Sequence, residues 1–368
     1  MIAIVGCDSA RYAWTLGAGA RNANRAWSER RGIFIRLRTS AGIDGYGEAS
    51  PLPGFSPDDI EMCAEVLTNA WRTCAPLDET APARDALRAS LSGASDRSPA
   101  ATFALESAML DVLGKAHGLP AWRMMRDPED GEPAPAPIAT LLSATSVEEA
   151  IAQAAAAALR GVTVGKLKID GRDGAGEIAR AHAIHDAVAP LGMTLRLDAN
   201  QSFAFEEFMR WSERFAAIAP DVFEEPVRTS DWARLAPSPL RLGMDESLFE
   251  PVWRERAEDC KKRGITGALV IKPMAIGGWL RALEIASHAR AIDWWTYVTH
   301  LFDGPIAAAA TADLALCIGG TPRASGIDLH ERASDWPMGA PAQIGASHVT
   351  PNLHHGLGVD EIARRIWP

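Results

Sequence analysis

The chain has 368 residues, 47% of them hydrophobic and 23% charged, enough for a barrel with a second domain and too apolar for disorder. A formal net charge of −10 argues against a general nucleic-acid or anionic-membrane binder, while leaving room for a local basic pocket that takes a small anion. Five dispersed cysteines without a CxxC pair suit reduced thiols in a cytoplasm better than a disulfide framework or zinc knuckle.

From Met1 to Cys7 the chain is apolar, but Asp8 and Arg11 soon interrupt it, so it reads as a first strand and not as a signal peptide. No apolar run reaches the length of a membrane span. Alternation over Ile33–Arg38 predicts a half-buried strand, and Tyr46–Ala49 a second after the turn at residues 42–47. Ser50–Pro57 carries three prolines and must be irregular. Helices are expected from about Asp58, and from Pro99 to His117, with Pro99 in a first turn and Gly118 at the end. Residues 127–137, rich in Pro, Glu and Gly, read as a linker.

Beyond the linker, short apolar runs alternate with helical stretches. The runs are Ile138–Leu142, Val164–Ile169, Leu195–Leu197, Val222–Phe223, Leu240–Met244, Ala268–Ile271 and Trp294–Val298, each followed by an expected helix. Repeats of roughly 25 residues favour a parallel (β/α)-barrel over an open doubly wound sheet. The expected fold is therefore α/β: a (β/α)-barrel over 136–337 with an α+β capping domain over 1–126, completed by about 338–368.

Barrel active sites lie at the carboxyl ends of strands, and acids and bases cluster there in this sequence. The second strand ends Lys166-Leu167-Lys168, with both lysines on one face, and the third ends Asp198-Ala199-Asn200. The fourth ends Glu224-Glu225-Pro226, the fifth Asp245-Glu246-Ser247, and the sixth Lys272-Pro273. A lone strand-end Asp is more often a helix cap, and a lone KxK a solvated strand end; the ordered series is what points to chemistry. Oxygen ligands from Asp198, Glu224 and Asp245 suit Mg²⁺, or Mn²⁺ in its place, which would bind a substrate carboxylate and stabilise the anion left when its α-proton departs. A lysine base needs a depressed pKa, and Lys166 is a cationic neighbour that would depress Lys168.

This series resembles the enolase superfamily, in its muconate lactonizing enzyme-like subgroup, over nearly the whole chain. Within it, Tyr46–Ser56 and the strand ends look most like those of the o-succinylbenzoate synthases. The resemblance implies a small-molecule carboxylate substrate, with Lys168 removing the α-proton and Lys272 staying protonated opposite it. N-succinylamino acid racemases are the nearest alternative, since the same lysines suit racemisation. Dipeptide epimerases usually carry paired aspartates at the eighth strand, where this chain offers only Asp328 in Ser325–His330. A barrel retained as a non-catalytic scaffold would have lost a lysine or an acid, and none is missing here.

Substrate contacts are expected from Asn200, from Phe55 in the capping loop, and from Thr299 and His300 after the seventh strand. His300 is either a contact or a base. Arg21 or Arg25, in the glycine-containing stretch 17–25, is either a succinyl-carboxylate ligand or part of a solvated loop. Gly277-Gly278 is either an anion site at a helix start or a tight turn. Nothing here implies a nucleic-acid or membrane partner, and the oligomeric state is left open.

Overall fold

Two glycines show how closely the amino-terminal layers approach. The strands β1 (Ile4–Thr15), β2 (Glu29–Thr39) and β3 (Gly45–Ala49) form an antiparallel sheet in that order. Against it pack α1 (Ile60–Thr73), α2 (Ala83–Leu91) and α3 (Pro99–His117). A Cβ at Gly45 or Gly47 would lie 2.0 Å from the carbonyl oxygen of Ala108 or Ala104, so α3 can touch β3 only because both positions lack side chains. The computed structural model describes residues 1–17, 20–93, 97–329, 333–351 and 353–368; Ala18, Gly19 and His330 of the candidate loops lie outside the described residues.

Asp59 caps α1 by accepting from the N–H groups of Glu61 and Met62, and the Ser98 hydroxyl caps α3 at Ala101. Gly118 ends α3 at φ 66°, as the sequence leads one to expect. After α4 (Ala121–Met125), the linker segment contains a short 3-10 turn at Pro128–Asp130 and the strand β4 (Ala136–Pro137). The latter pairs with His348–Val349, so the segment is held at its far end by the returning carboxyl-terminal chain.

The barrel strands are β5 (Ala139–Leu142), β6 (Val164–Lys168), β7 (Thr194–Asp198), β8 (Phe223–Glu224), β9 (Leu242–Met244), β10 (Gly267–Ile271) and β11 (Trp295–Val298). They form one parallel sheet in sequence order. Residues 324–327 take the eighth place. Ala139 donates to Ser325 O and Gly326 donates to Val298 O, each at 2.8 Å, which joins the two edges. The outer helices are α5 (Val147–Leu159), α6 (Gly174–Val188), α7 (Phe205–Ala216), α8 (Trp253–Lys262), α9 (Pro273–Ile276), α10 (Trp279–Ala291) and α11 (Pro305–Cys317).

One repeat departs from the expected rhythm. After β8 the connection holds only a 3-10 stretch, Thr229–Arg234. Pro226, Pro237 and Pro239 bracket it and deny an α-helix its donors and its space.

Three buried carboxylates join the layers. Glu48 of β3 accepts from Gly304, Ile306 and Ala307 at the start of α11, and from Tyr12 at 2.5 Å. Glu106 of α3 accepts from Trp279 and Leu280 at the start of α10. Asp111 accepts from Leu357 and Tyr46 and pairs with Lys115 at 2.8 Å. The N–H groups after the turn at Gly277-Gly278 therefore do receive an acidic side chain, one supplied by the chain itself. All five cysteines are free thiols, and among the described residues no helix is long and apolar enough to cross a membrane.

Candidate active site

Parallel register sets the acids and bases side by side. Lys168 is the register partner of Asp198, and Asp198 of Glu224, across β6, β7 and β8. Lys166 Nζ lies 2.7 Å from Asp198 Oδ2 and 2.5 Å from Glu224 Oε2. Lys168 Nζ lies 2.5 Å from the same Asp198 oxygen and 3.0 Å from Asn200 Oδ1. Lys272, just past β10, pairs with Asp245, just past β9. All three lysines line a cavity of about 440 Å³.

Asp198, Glu224 and Asp245 are fully buried, and each offers an oxygen within 4.8 Å of the other two. Asp245 Oδ1 has no hydrogen-bond partner, an expensive state for a buried carboxylate oxygen and one that a cation would relieve. The donor set is all oxygen and suits a hard divalent ion. The triad can thus hold a metal.

Neighbouring side chains fix these acids. Glu225 accepts from the N–H groups of Asp245 at 2.6 Å and Ser247 at 2.8 Å, and from the Ser247 hydroxyl at 2.9 Å, shaping the turn that presents Asp245. Tyr297 donates to Glu224 Oε1 at 2.9 Å, and the Arg196 guanidinium lies 3.7 Å from the Tyr297 ring centre. Asn200, Gln201, Glu225 and Phe302, at or just beyond the strand ends, have positive φ (43°, 62°, 38° and 57°), as do Ala219 and Asp293 away from the site.

Burial, opposed by Asp198 and joined by the ammonium groups of Lys166 and Lys272, holds Lys168 below the usual lysine range. Lys166 goes the other way: burial pulls it down, but Asp198, Glu224 and Asp245 outweigh burial and raise it. Two lysines one pleat apart are thereby driven apart in basicity.

The remaining candidate residues separate by position. Phe55, Thr299, His300 and Arg21 line the same cavity, while Asn200 reaches it through its bond to Lys168. The Phe55 ring centre lies 4.7 Å from Lys272 Nζ. His300 accepts from Phe302 N at Nδ1 (2.8 Å) and lies 2.9 Å from Asp328 O at Nε2, so both ring nitrogens are engaged by backbone. Arg25 turns away to Pro53 O at 2.9 Å, joined there by Trp27 Nε1, and so ties the two capping loops together. Gly54 permits this: at φ 70°, its Cβ would fall 1.6 Å from the Arg25 guanidinium.

Tyr297, Arg160 and Thr140 were not singled out from sequence. Tyr297 had a signal, because it stands two residues before Thr299 on the inward face of β11. Arg160, beyond the end of a helix, had none.

Residues 149–363 match the family model for the enolase C-terminal domain-like fold, and residues 12–125 match that for the mandelate racemase / muconate lactonizing enzyme N-terminal domain. A hydrophobic dipeptide epimerase of Citrifermentans bemidjiense is 29% identical over 311 residues, 82% of each chain. An o-succinylbenzoate synthase of Thermosynechococcus vestitus is 28% identical over 269 residues, 69% of this chain and 71% of the relative. Among solved structures, a dipeptide epimerase from Enterococcus faecalis complexed with Mg and L-Leu-L-Tyr has a TM-score of 0.80 at 22% identity, covering 97% of this chain and 99% of that one. The likeness to o-succinylbenzoate synthases is therefore matched by a likeness to dipeptide epimerases, despite the single Asp328.

Proposed function

Since this chain belongs to the muconate lactonizing enzyme-like branch of the enolase superfamily, we propose that it abstracts the proton next to a substrate carboxylate, and that it does so as an o-succinylbenzoate synthase. The reaction is dehydration of 2-succinyl-6-hydroxy-2,4-cyclohexadiene-1-carboxylate to o-succinylbenzoate, a step of menaquinone biosynthesis. The observation that carries the proton abstraction is the entry of Lys168 and Lys272 into one cavity, from β6 and from the far side of the acid triad. A Mg²⁺ ion held by Asp198, Glu224 and Asp245 would supply positive charge at the substrate carboxylate.

Lys168, held below the usual lysine range, takes the α-proton. Lys272, paired with Asp245 and set against the face of Phe55, stabilises the enediolate from the other side. Lys168 then gives its proton to the departing hydroxide, which leaves as water, and the ring becomes aromatic. The succinyl end suits a cavity whose described lining holds Arg21 and Arg160 besides the three lysines.

Loss of the diene absorbance is the direct test. It should be fast with Mg²⁺ and stop with EDTA. Lys168→Ala and Lys272→Ala should each slow it by about 100- to 10,000-fold, the range for a positioned acid or base. No loss by the metal-loaded wild type would remove the synthase reading.

A second reading, racemisation or epimerisation at an α-carbon, is favoured by the epimerase relatives and uses the same two lysines. It gives wash-in of deuterium at the α-position of an N-succinylamino acid or a dipeptide, with no diene required.

A further inference from the structure

The cavity contains an ion pair that proton transfer does not use. Arg160, the residue following α5, donates from its two terminal nitrogens to Asp328 Oδ1 at 3.1 Å and Oδ2 at 2.6 Å. Thr140 of β5 donates to Oδ2 at 2.6 Å as well. The Asp328 side chain is 14% exposed and that of Arg160 41%, so the acid is covered and the guanidinium keeps an open side. Among the described residues lining the cavity, Asp328 is the only acid.

This arrangement fixes which charges the cavity accepts. A substrate ending in an ammonium group needs a carboxylate to receive it, and the only described candidate is already gripped by a planar, two-pronged donor. Such a substrate would have to break that pair, and would then face Arg160 and Arg21 unscreened. A substrate with a second carboxylate meets the opposite situation. Asp328 engages two of the five N–H groups of the Arg160 guanidinium, which leaves others to receive an anion without disturbing the pair.

We infer that the Arg160–Asp328 pair is the charge selector of this site, admitting substrates that carry a second, distal carboxylate and rejecting those that end in an ammonium. The inference rests on the proton-abstraction reading above and deepens it by assigning the substrate class and the residues that choose it.

The test uses two probes with the same reacting carbon and opposite distal charge, N-succinyl-L-phenylalanine and L-Ala-L-Phe. Exchange of the phenylalanine α-proton in D₂O is followed by NMR with the Mg²⁺-loaded, full-length protein. The wild type should favour the succinyl probe in kcat/KM by about tenfold or more. In Arg160→Met, KM for the succinyl probe and for the diene acid should rise by about tenfold with kcat little changed, while kcat/KM for L-Ala-L-Phe rises. Arg160→Met combined with Asp328→Asn should lose that gain, because the freed carboxylate is gone. Arg160→Lys, which keeps the charge but not the planar fork, should reverse only part of the rise in KM for the succinyl probe that Arg160→Met brings.

Unchanged KM together with no gain on the dipeptide in Arg160→Met would overturn the selector, as would a wild type that prefers L-Ala-L-Phe; either result leaves the lysine chemistry standing. Failure of the wild type on both probes and on the diene would remove the proton-abstraction reading, and the selector with it.

Discussion

Phe55 reaches over Lys272 from a capping loop, and its ring face does two things at once. It covers the lysine, and its negative quadrupole faces the side-chain nitrogen that would meet the proposed enediolate. Phe249 meets the ring edge-on at a centroid distance of 5.6 Å and so fixes its orientation. Phe55→Leu would keep most of the apolar area and lose the quadrupole. A cation–π contact of this kind contributes about 0.5–2 kcal/mol, so kcat should fall by roughly 2- to 30-fold with the fold intact. Steady-state kinetics on the diene acid would measure it, and a kcat equal to wild type would show that the ring acts only as a cover.

Elements were legible where their signals are local. Pro99 and Gly118 mark α3 in the sequence, because φ restrictions and helix ends act within a few residues. The missing helix after β8 was hidden because Val222–Phe223 looks like any other barrel strand, and only the prolines that follow argue against a helix. What α3 packs against was not legible either. Glu106 reads as an ordinary helix-surface acid, yet it is buried at the start of α10, 173 residues away in sequence. Burial pushes its carboxyl up to about 8, against the opposing N–H groups of Leu280 and Trp279. Burial likewise pushes Glu48 to about 7 and Asp111 to about 6. Each pKa lies above its unfolded value, so the folded state binds more protons than the unfolded chain between these limits. The associated stability is complete at low pH, below about 4, and is lost as pH rises through 6 to 8. Thermal unfolding should therefore shift to lower temperature between pH 5 and pH 8.5. Glu106→Gln, which keeps an acceptor for the helix start and cannot ionise, should flatten that slope; an identical slope in the variant would show that Glu106 does not titrate in this window.

For the molecule as a whole, the positions around the cavity were readable because strand periodicity and barrel topology force alternate strand-end residues toward one point, wherever the strands come from in sequence. Asp198, Glu224 and Asp245 come together by that rule alone. The Arg160–Asp328 pair was not readable, since it joins the residue after α5 to the eighth position that closes the ring, 168 residues away in sequence. The same topology determines what a metal does for stability. Three carboxylates converge in the interior, but Lys166, Lys168 and Lys272 already neutralise them, so the protein without metal should remain folded. An ion that binds the folded triad and not the unfolded chain should add only a mass-action increment, about 2.7 kcal/mol at a hundred times its Kd. Mg²⁺ titrated against EDTA-treated protein should therefore raise the unfolding temperature smoothly from an already cooperative transition. Asp245→Asn, which removes a ligand charge and leaves Lys272 without its partner, should abolish the rise. If the wild type unfolds at the same temperature with and without Mg²⁺, the triad does not hold the ion; if EDTA-treated protein shows no cooperative transition, the lysines do not balance the acids as the geometry implies.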